Sequence, residues 1–485
     1  MGKRIMLVTE KKIPVNNKTK KERKIMKKRW DKITAAALSV IMGLSLTACG
    51  ASQTAETTTA AAAGTTAAAA ASTETGTQGT SGEPVTLRIS WWGGDSRHEA
   101  TEKAVQSFME KYPNITVDCE YGAWTGWEEK QSLNILSGEC ADVIQIGSNW
   151  VTDYSKGGES YLDLYQVADV LDLSQFPEDK LKLNEVNGKL MAIPISLTGR
   201  LFYWNKTTFD EVGCPIPTDE ASLLAAGEAF KAYNEEYYPL ALGEYDRMIF
   251  MVYYLESKYG KDWVTDGVMN YTEEEIAEGF AFMNKLEEMH VLPSIATING
   301  DMSDSLDKNA KWIDGKYAGL MEWDSAATKV KEAMEGSVNK PGQEFQIGEF
   351  IKFGDYQGGF TKVSMDFAIK ASTKYPKEAA LLVNYLLNDP EGVEICSTER
   401  GVPCSAVAVA TLNEKSIGDA MTKEANAKVM DYSKFTQDPK FDDSELKANP
   451  DGIYYKVFGK LSSGDITPED AAKTLTEGIN EVLGN

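Results

Sequence analysis

Histidine is nearly missing from this chain: His98 and His290 are the two among 485 residues. A histidine-based metal centre and a Ser-His-Asp triad are thus nearly excluded on inventory alone. Basic excess is missing too, with 50 Lys and Arg against 73 Asp and Glu, a net charge of −23. Nucleic-acid binding calls for a basic stripe, and none is present. Glycine-rich phosphate loops of the P-loop type are absent. Cysteine is sparse: five remain after Cys49 (Cys119, Cys140, Cys214, Cys396 and Cys404), an odd number without zinc-like spacing. Cys396 and Cys404 are placed to pair, but buried free thiols are the favoured reading.

Long apolar runs are scarce as well. One runs from Ile33 to Thr47, shorter than the roughly 20 residues that a bilayer-spanning helix needs. It follows Met26-Lys27-Lys28-Arg29 and precedes Ala48-Cys49-Gly50, the layout of a secretory signal with a small-residue cleavage site. Leu46-Thr47-Ala48-Cys49 resembles the lipobox of bacterial lipoproteins, whose cysteine is diacylated and becomes the mature N-terminus. Two acyl chains anchor stably where one does so marginally. Residues 1–25 are basic and patternless, so Met26 is the expected start. Residues 1–48 hold 13 Lys and Arg against 3 Asp and Glu; without them 37 face 70, a net −33. Such acidity favours solubility, and an acidic ligand would need a local basic site to overcome it.

Residues 51–83 are almost wholly Ala, Thr, Ser, Gly and Gln. They cannot bury enough apolar surface to order themselves and are expected to form a flexible spacer spanning roughly 30 Å. From Val85 onward the composition is globular, long enough for two domains or lobes. Val85–Ser90 alternates as a strand, and a helical pattern follows with Ala100, Ala104, Val105, Phe108 and Met109 on one face. Ile115–Cys119 is a second strand, Trp127–Ser137 a second helix and Asp142–Ile146 a third strand. This β-α-β-α-β rhythm predicts an α/β fold with a parallel sheet flanked by helices. Strands at Leu190–Ile195 and Leu201–Trp204, and helices at Ala221–Tyr233, Glu274–Met289 and Lys377–Leu387, continue it.

In such sheets ligands sit beyond the carboxyl ends of strands. Three loops qualify: Trp91, Trp92, Gly93, Arg97 and His98 in the first, Trp124 to Trp127 in the second, and Gln145, Asn149 and Trp150 in the third. Five of the ten tryptophans fall there. Indole faces stack on pyranose rings, while Gln, Asn and Arg serve hydroxyls or carboxylates. Adjacent strand residues point to opposite faces, so one of Trp91 and Trp92 is expected in the core. Asp95, Glu128 and Glu129 read as solvated charges rather than an acid/base pair, and no acidic residue sits in a recognisable catalytic motif.

The stretch Leu87–Lys156 resembles the N-terminal lobe of family 1 extracellular solute-binding proteins, the capture component of sugar ABC importers. Gly188-Lys189-Leu190-Met191-Ala192-Ile193-Pro194 followed by Tyr203-Trp204-Asn205-Lys206, the run Trp312–Leu320, Tyr375–Ala380 with Asn384–Leu387, and Gly401-Val402-Pro403 resemble later family segments. Within that family, the Trp91-Trp92-Gly93-Gly94, Arg97–Thr101 and Trp124–Trp127 segments look most like binders of oligogalacturonides and rhamnogalacturonan fragments. The third loop departs, with Ser148-Asn149-Trp150 where related proteins vary.

The resemblance implies a two-lobed, type II periplasmic-binding-protein-like α/β fold. Each lobe would be a mainly parallel sheet flanked by helices, with the ligand cleft between lobes and closure by hinge motion. Residues 86–195 and 364–402 would form lobe 1, and residues 196–363 and 403–485 lobe 2. The second lobe would supply Arg200, Tyr203, Trp323 and Asp324, while Met365 and Asp366 would sit at the crossing segment. Arg97 and Arg200, with Lys362 as a lesser candidate, would pair a uronate carboxylate, arginine doing so bidentately. The resemblance also implies a monomeric receptor without cofactor or catalysis, working with a membrane permease. A binder of neutral plant oligosaccharides and a cell-surface glycosidase or lyase are the competing readings. Cys49→Ala protein should bind its ligand in solution yet leave the membrane fraction on cell fractionation; retention there would refute lipid attachment.

Overall fold

The computed structural model describes residues 82–484, apart from 125 and 302–305. The expected signal, the lipid site Cys49 and nearly all of the spacer lie outside the described residues. Strand β1 (Val85–Trp92) alternates as its sequence predicts, with Leu87, Ile89 and Trp91 fully buried. Helix α1 (Asp95–Lys111) begins after the extended Gly94 with an acidic residue in its first turn, where the helix dipole favours negative charge. It buries Ala104, Val105 and Phe108 against β1 and stops before Pro113. Strand β2 (Ile115–Gly122), helix α2 (Trp127–Ser137) and strand β3 (Val143–Ile146) complete the predicted rhythm. β1 runs parallel to both β2 and β3.

The chain then passes from one core to the other. Strand β4 (Ile193–Thr198) contributes Ile193 and Ile195 to the first core. After Gly199, strand β5 (Arg200–Asn205) contributes Leu201 to Trp204 to a second, aromatic-rich core. A side chain at Gly199 would meet the Phe360 carbonyl oxygen at 2.7 Å and Val429 at 2.5 Å, so glycine permits this close crossing. Helix α3 (Glu244–Tyr259) is buried on nearly every side, from Met248 to Leu255. Strands β6 (Gly319–Trp323) and β7 (Phe345–Ile347) both pair antiparallel with β5. The expectation of a mainly parallel sheet is therefore corrected for the second lobe. β5 is buried throughout, and a continuous apolar run carries no signal for strand direction.

Strand β8 (Phe360–Ile369) is the second crossing. Phe360 packs in the second core, while Met365, Phe367 and Ile369 pack in the first. β8 joins the first sheet antiparallel to β3 and β4, with an irregularity on either side of Met365 in its pairing with β4. The chain crosses again after Cys404, which still belongs to the first core, and reaches the second by Ala425 and Val429. Ala408 and Leu412 pack on Val393. The five cysteines are free thiols, and Cys396 and Cys404 do not pair.

Asp366 on β8 is wholly buried. Asn184 donates to its Oδ1 at 2.6 Å, while its Oδ2 has no hydrogen-bond partner among the described residues. Burial pushes this carboxyl up to about 8. Its reference value is about 3.9, so between the two the folded chain keeps a proton that the unfolded chain releases. Stability should therefore fall as pH rises through that window. Asp366→Asn, a shape match for the protonated acid, should flatten the fall and gain on the order of 5 kcal/mol at pH 8. Denaturant midpoints of both proteins at pH 5 and pH 8 read this directly; parallel pH profiles would contradict it.

Candidate functional site

The pleat of β1 separates its two terminal tryptophans. Trp91 turns into the first core, where its indole N–H donates to His98 Nδ1 at 3.1 Å. His98 stacks on Tyr121 with ring centres 4.4 Å apart. Trp92 turns to the other face and meets Trp124 at 5.1 Å and Trp150 at 5.7 Å. Trp150 is fully buried behind them, its N–H donated to Glu128 at 2.8 Å, while Trp124 is 48% exposed at the lip. Trp127 is buried under the second loop and packs with Trp150 rather than facing solvent.

Two donors fix the Trp92 backbone. Its carbonyl accepts from Arg97 Nη1 at 3.1 Å and from Gln145 Nε2 at 3.2 Å. Arg97 Nε also donates to the Glu399 carbonyl at 2.9 Å, and Arg400 Nε donates to Gln145 Oε1 at 2.7 Å. Burial, with Arg400 alongside, pushes the Arg97 guanidinium down to about 9 against the pull of Glu399. A side chain at Gly93 would strike Arg97 at 2.6 Å, which explains glycine there.

A cavity of about 260 Å³ opens between the two cores. Trp92, Trp124 and Asn149 line one wall, and Trp323 and Tyr245 the other. Ser364 and Met365 both reach it from β8, although neighbours on a regular strand face opposite ways. The pairing irregularity around Met365 accounts for this, since a bulge re-aims side chains. Lys362, Asp442 and Lys447 bring charge to the same cavity. Lys362 Nζ pairs with Asp442 and lies 4.4 Å from the centre of the Trp323 ring. Burial would raise Asp442, but Lys362 and Lys447 hold its carboxylate far below the usual range.

Of the sequence-predicted residues, Trp92, Trp124, Asn149, Trp323, Met365 and the lesser candidate Lys362 line the cavity. Arg97 and Gln145 stand directly behind Trp92. The structure does not bring the others to the lining. Arg200 is buried and committed elsewhere, paired with Asp246 at 2.5 Å and donating to the Met321 carbonyl at 2.7 Å. Burial opposes its charge, but Glu322 and Asp246 hold the guanidinium above its ordinary value. Tyr203 is core, its hydroxyl donating to the Trp323 carbonyl at 3.0 Å. Asp324 is buried, accepting from Thr198 and from Asn426, and burial pushes it up to about 6. Asp366, Trp91, His98, Trp127 and Trp150 lie beneath or beside the walls.

The strand-end rule missed Tyr245, in the first turn of α3, and Asp442 and Lys447 near the C-terminus. No local pattern marks these residues, because tertiary folding alone carries them to the strand ends. Among the described residues no cluster of three or more His, Cys, Asp or Glu is disposed to hold a metal ion.

Residues 103–427 match the model of the bacterial extracellular solute-binding protein family. A periplasmic solute-binding protein from Pectobacterium atrosepticum superposes with a TM-score of 0.75 at 32% identity, over 82% of this chain and 99% of that one. A periplasmic oligogalacturonide-binding protein from Yersinia enterocolitica, solved with saturated digalacturonic acid, gives 0.72 at 32% identity over the same shares. The multiple sugar-binding protein of Streptococcus mutans is 24% identical over 307 residues, 62% of this chain and 71% of its own length. A binding protein of Brucella abortus is 29% identical over 164 residues, 33% of this chain and 39% of that relative's length. With two α/β lobes around a lined cavity and a family match over most of its folded part, this chain belongs to the bacterial extracellular solute-binding proteins.

Proposed function

We propose that this protein captures uronate-containing oligosaccharides of the oligogalacturonide type in the cavity between its lobes and hands them to an ABC import permease. The observation that carries the proposal is the meeting of an aromatic wall with two lysines in one cavity of a strongly acidic chain. Indoles at Trp92 and Trp124 offer stacking faces for pyranose rings, while Lys362 and Lys447 offer ammonium donors for a carboxylate. Asn149, Thr198, Ser325 and Ser364 add short polar side chains for hydroxyls. The likeness to the Yersinia protein supports the same ligand class.

The lobes would close on the sugar by bending at the crossings near Gly199, Met365 and the segment after Cys404, with closed-state contacts shifting the equilibrium. Lobe 1 would take residues 86–195 and 364–402 together with the helix packed on Val393, and lobe 2 the remainder. Diacylated Cys49 and the spacer would keep a monomeric receptor within reach of the permease, raising its effective concentration there. The bound sugar would be released chemically unchanged.

Calorimetric titration of protein lacking residues 1–48 tests this, with digalacturonic acid and its methyl ester compared side by side. The free acid should bind roughly ten-fold or more tightly than the ester, as one charge-assisted hydrogen bond of about 1.5–3 kcal/mol demands. Trp124→Ala should weaken both sugars by roughly three- to ten-fold, the range of one aromatic contact. Equal affinity for acid and ester would favour a binder of neutral sugars, and product formation on long incubation would mark a hydrolase or lyase.

A further inference from the structure

Three charged side chains meet in the cavity, and their arrangement is asymmetric. Asp442 is one carboxylate between two ammonium groups: Lys362 pairs with its Oδ2, and Lys447 lies 3.5 Å from its Oδ1. The Tyr245 hydroxyl donates to the same Oδ1 at 2.5 Å. Both carboxylate oxygens are thus engaged by protein donors, which leaves Asp442 poorly placed to accept a sugar hydroxyl. The sum of the three charges is one positive charge facing the cavity. Arg200 adds little to it, because Asp246 and Glu322 largely answer that guanidinium behind Trp323.

We propose that Asp442 is a positioning and specificity-determining residue of the acidic-sugar site: its carboxylate clamps Lys362 and Lys447 at the cavity wall, so that together they accept one ligand carboxylate. This rests on the binding function proposed above. The clamp acts first through geometry. Lysine is a point charge on a flexible stem, and Lys362 is held between Asp442 and the face of Trp323 rather than left to sample rotamers. It acts second through charge. Lys362 is largely buried, and burial pushes its ammonium below the ordinary lysine value, with Lys447 and Arg200 pushing the same way. Asp442 opposes all three. On its other side Lys362 lines a crevice too narrow for water together with Gln437 and Asp438. Without the Asp442 charge, Lys362 would lose its proton at lower pH, and the form that binds a carboxylate would vanish as pH rises.

The test uses Asp442→Asn in protein lacking residues 1–48, titrated with digalacturonic acid and with its methyl ester. Affinity for the free acid is followed from about pH 6 to about pH 9, and wild type should fall off less across that window than the variant, because Asp442 favours the charged form of Lys362. The variant should lose roughly ten-fold or more at the upper end and recover most of it at the lower end, while its affinity for the ester changes less than about two-fold. Equal loss for acid and ester would make Asp442 a hydroxyl-binding or purely structural residue and overturn the proposal. A variant that keeps its preference for the acid with a level pH profile would overturn it too. Should Asp442→Asn fail to fold, the net-neutral pair Lys362→Met with Asp442→Asn decides. Its preference for the free acid over the ester should fall to near unity, since Lys362 is gone and Lys447 is no longer clamped; a double variant that keeps the wild-type preference would refute the idea. If wild type itself does not prefer the free acid, the function proposed above fails instead, and the two failures are distinct.

Discussion

A single ten-residue strand, β8, belongs to both cores, and the rest of the molecule is arranged around that constraint. Its first residues pack with the aromatic second core and its last with the sheet of the first. Hydrogen bonding to β3 and β4 leaves the strand little freedom to move as a whole. The irregular pairing at Met365 breaks the alternation at the one place where the strand crosses the cavity. Ser364 and Met365 can then face the cavity together while Asp366 is turned into the sheet. A buried carboxyl on a shared strand is a costly choice for stability, and its near-neutral titration ties the resistance of the fold to pH.

Trp92 and Trp323, on opposite walls of the cavity, are held by different contacts. On the first lobe, Trp92 is held by its own carbonyl, which two donors reach from α1 and β3. The chain of bonds continues through Gln145 to Arg400, on the segment that leads to the third crossing. On the second lobe, Trp323 is held by Tyr203 through the backbone and by cations near its face. Aromatic surface is thus presented by side chains whose orientation is settled before any ligand arrives, which lowers the entropy lost on binding.

The first five elements were legible in the sequence because each has a clean period and a clear stop, such as the Tyr112-Pro113 end of α1. The tryptophans at the strand ends were legible as a group, and the pleat decides which of them face the cavity. What the sequence could not show were pairings over long separations. Arg200 looked like a ligand cation because Asp246 stands 46 positions away in the chain and Met321 stands 121 away. Lys362 looked secondary because Asp442 is 80 positions distant. The direction of the second sheet was hidden for a related reason, since a strand buried on both faces shows no alternation.

The contrast between a net charge of −23 and a lysine-lined cavity gives the protein two electrostatic ranges. At low salt, where the Debye length reaches about 30 Å at 0.01 M, an anionic sugar meets repulsion from the whole surface; at physiological salt that field is screened beyond a Debye length of about 8 Å. Within it, the lysines dominate. Added salt should therefore hasten arrival and shorten residence at once, so equilibrium affinity would hide opposing effects that relaxation kinetics would expose.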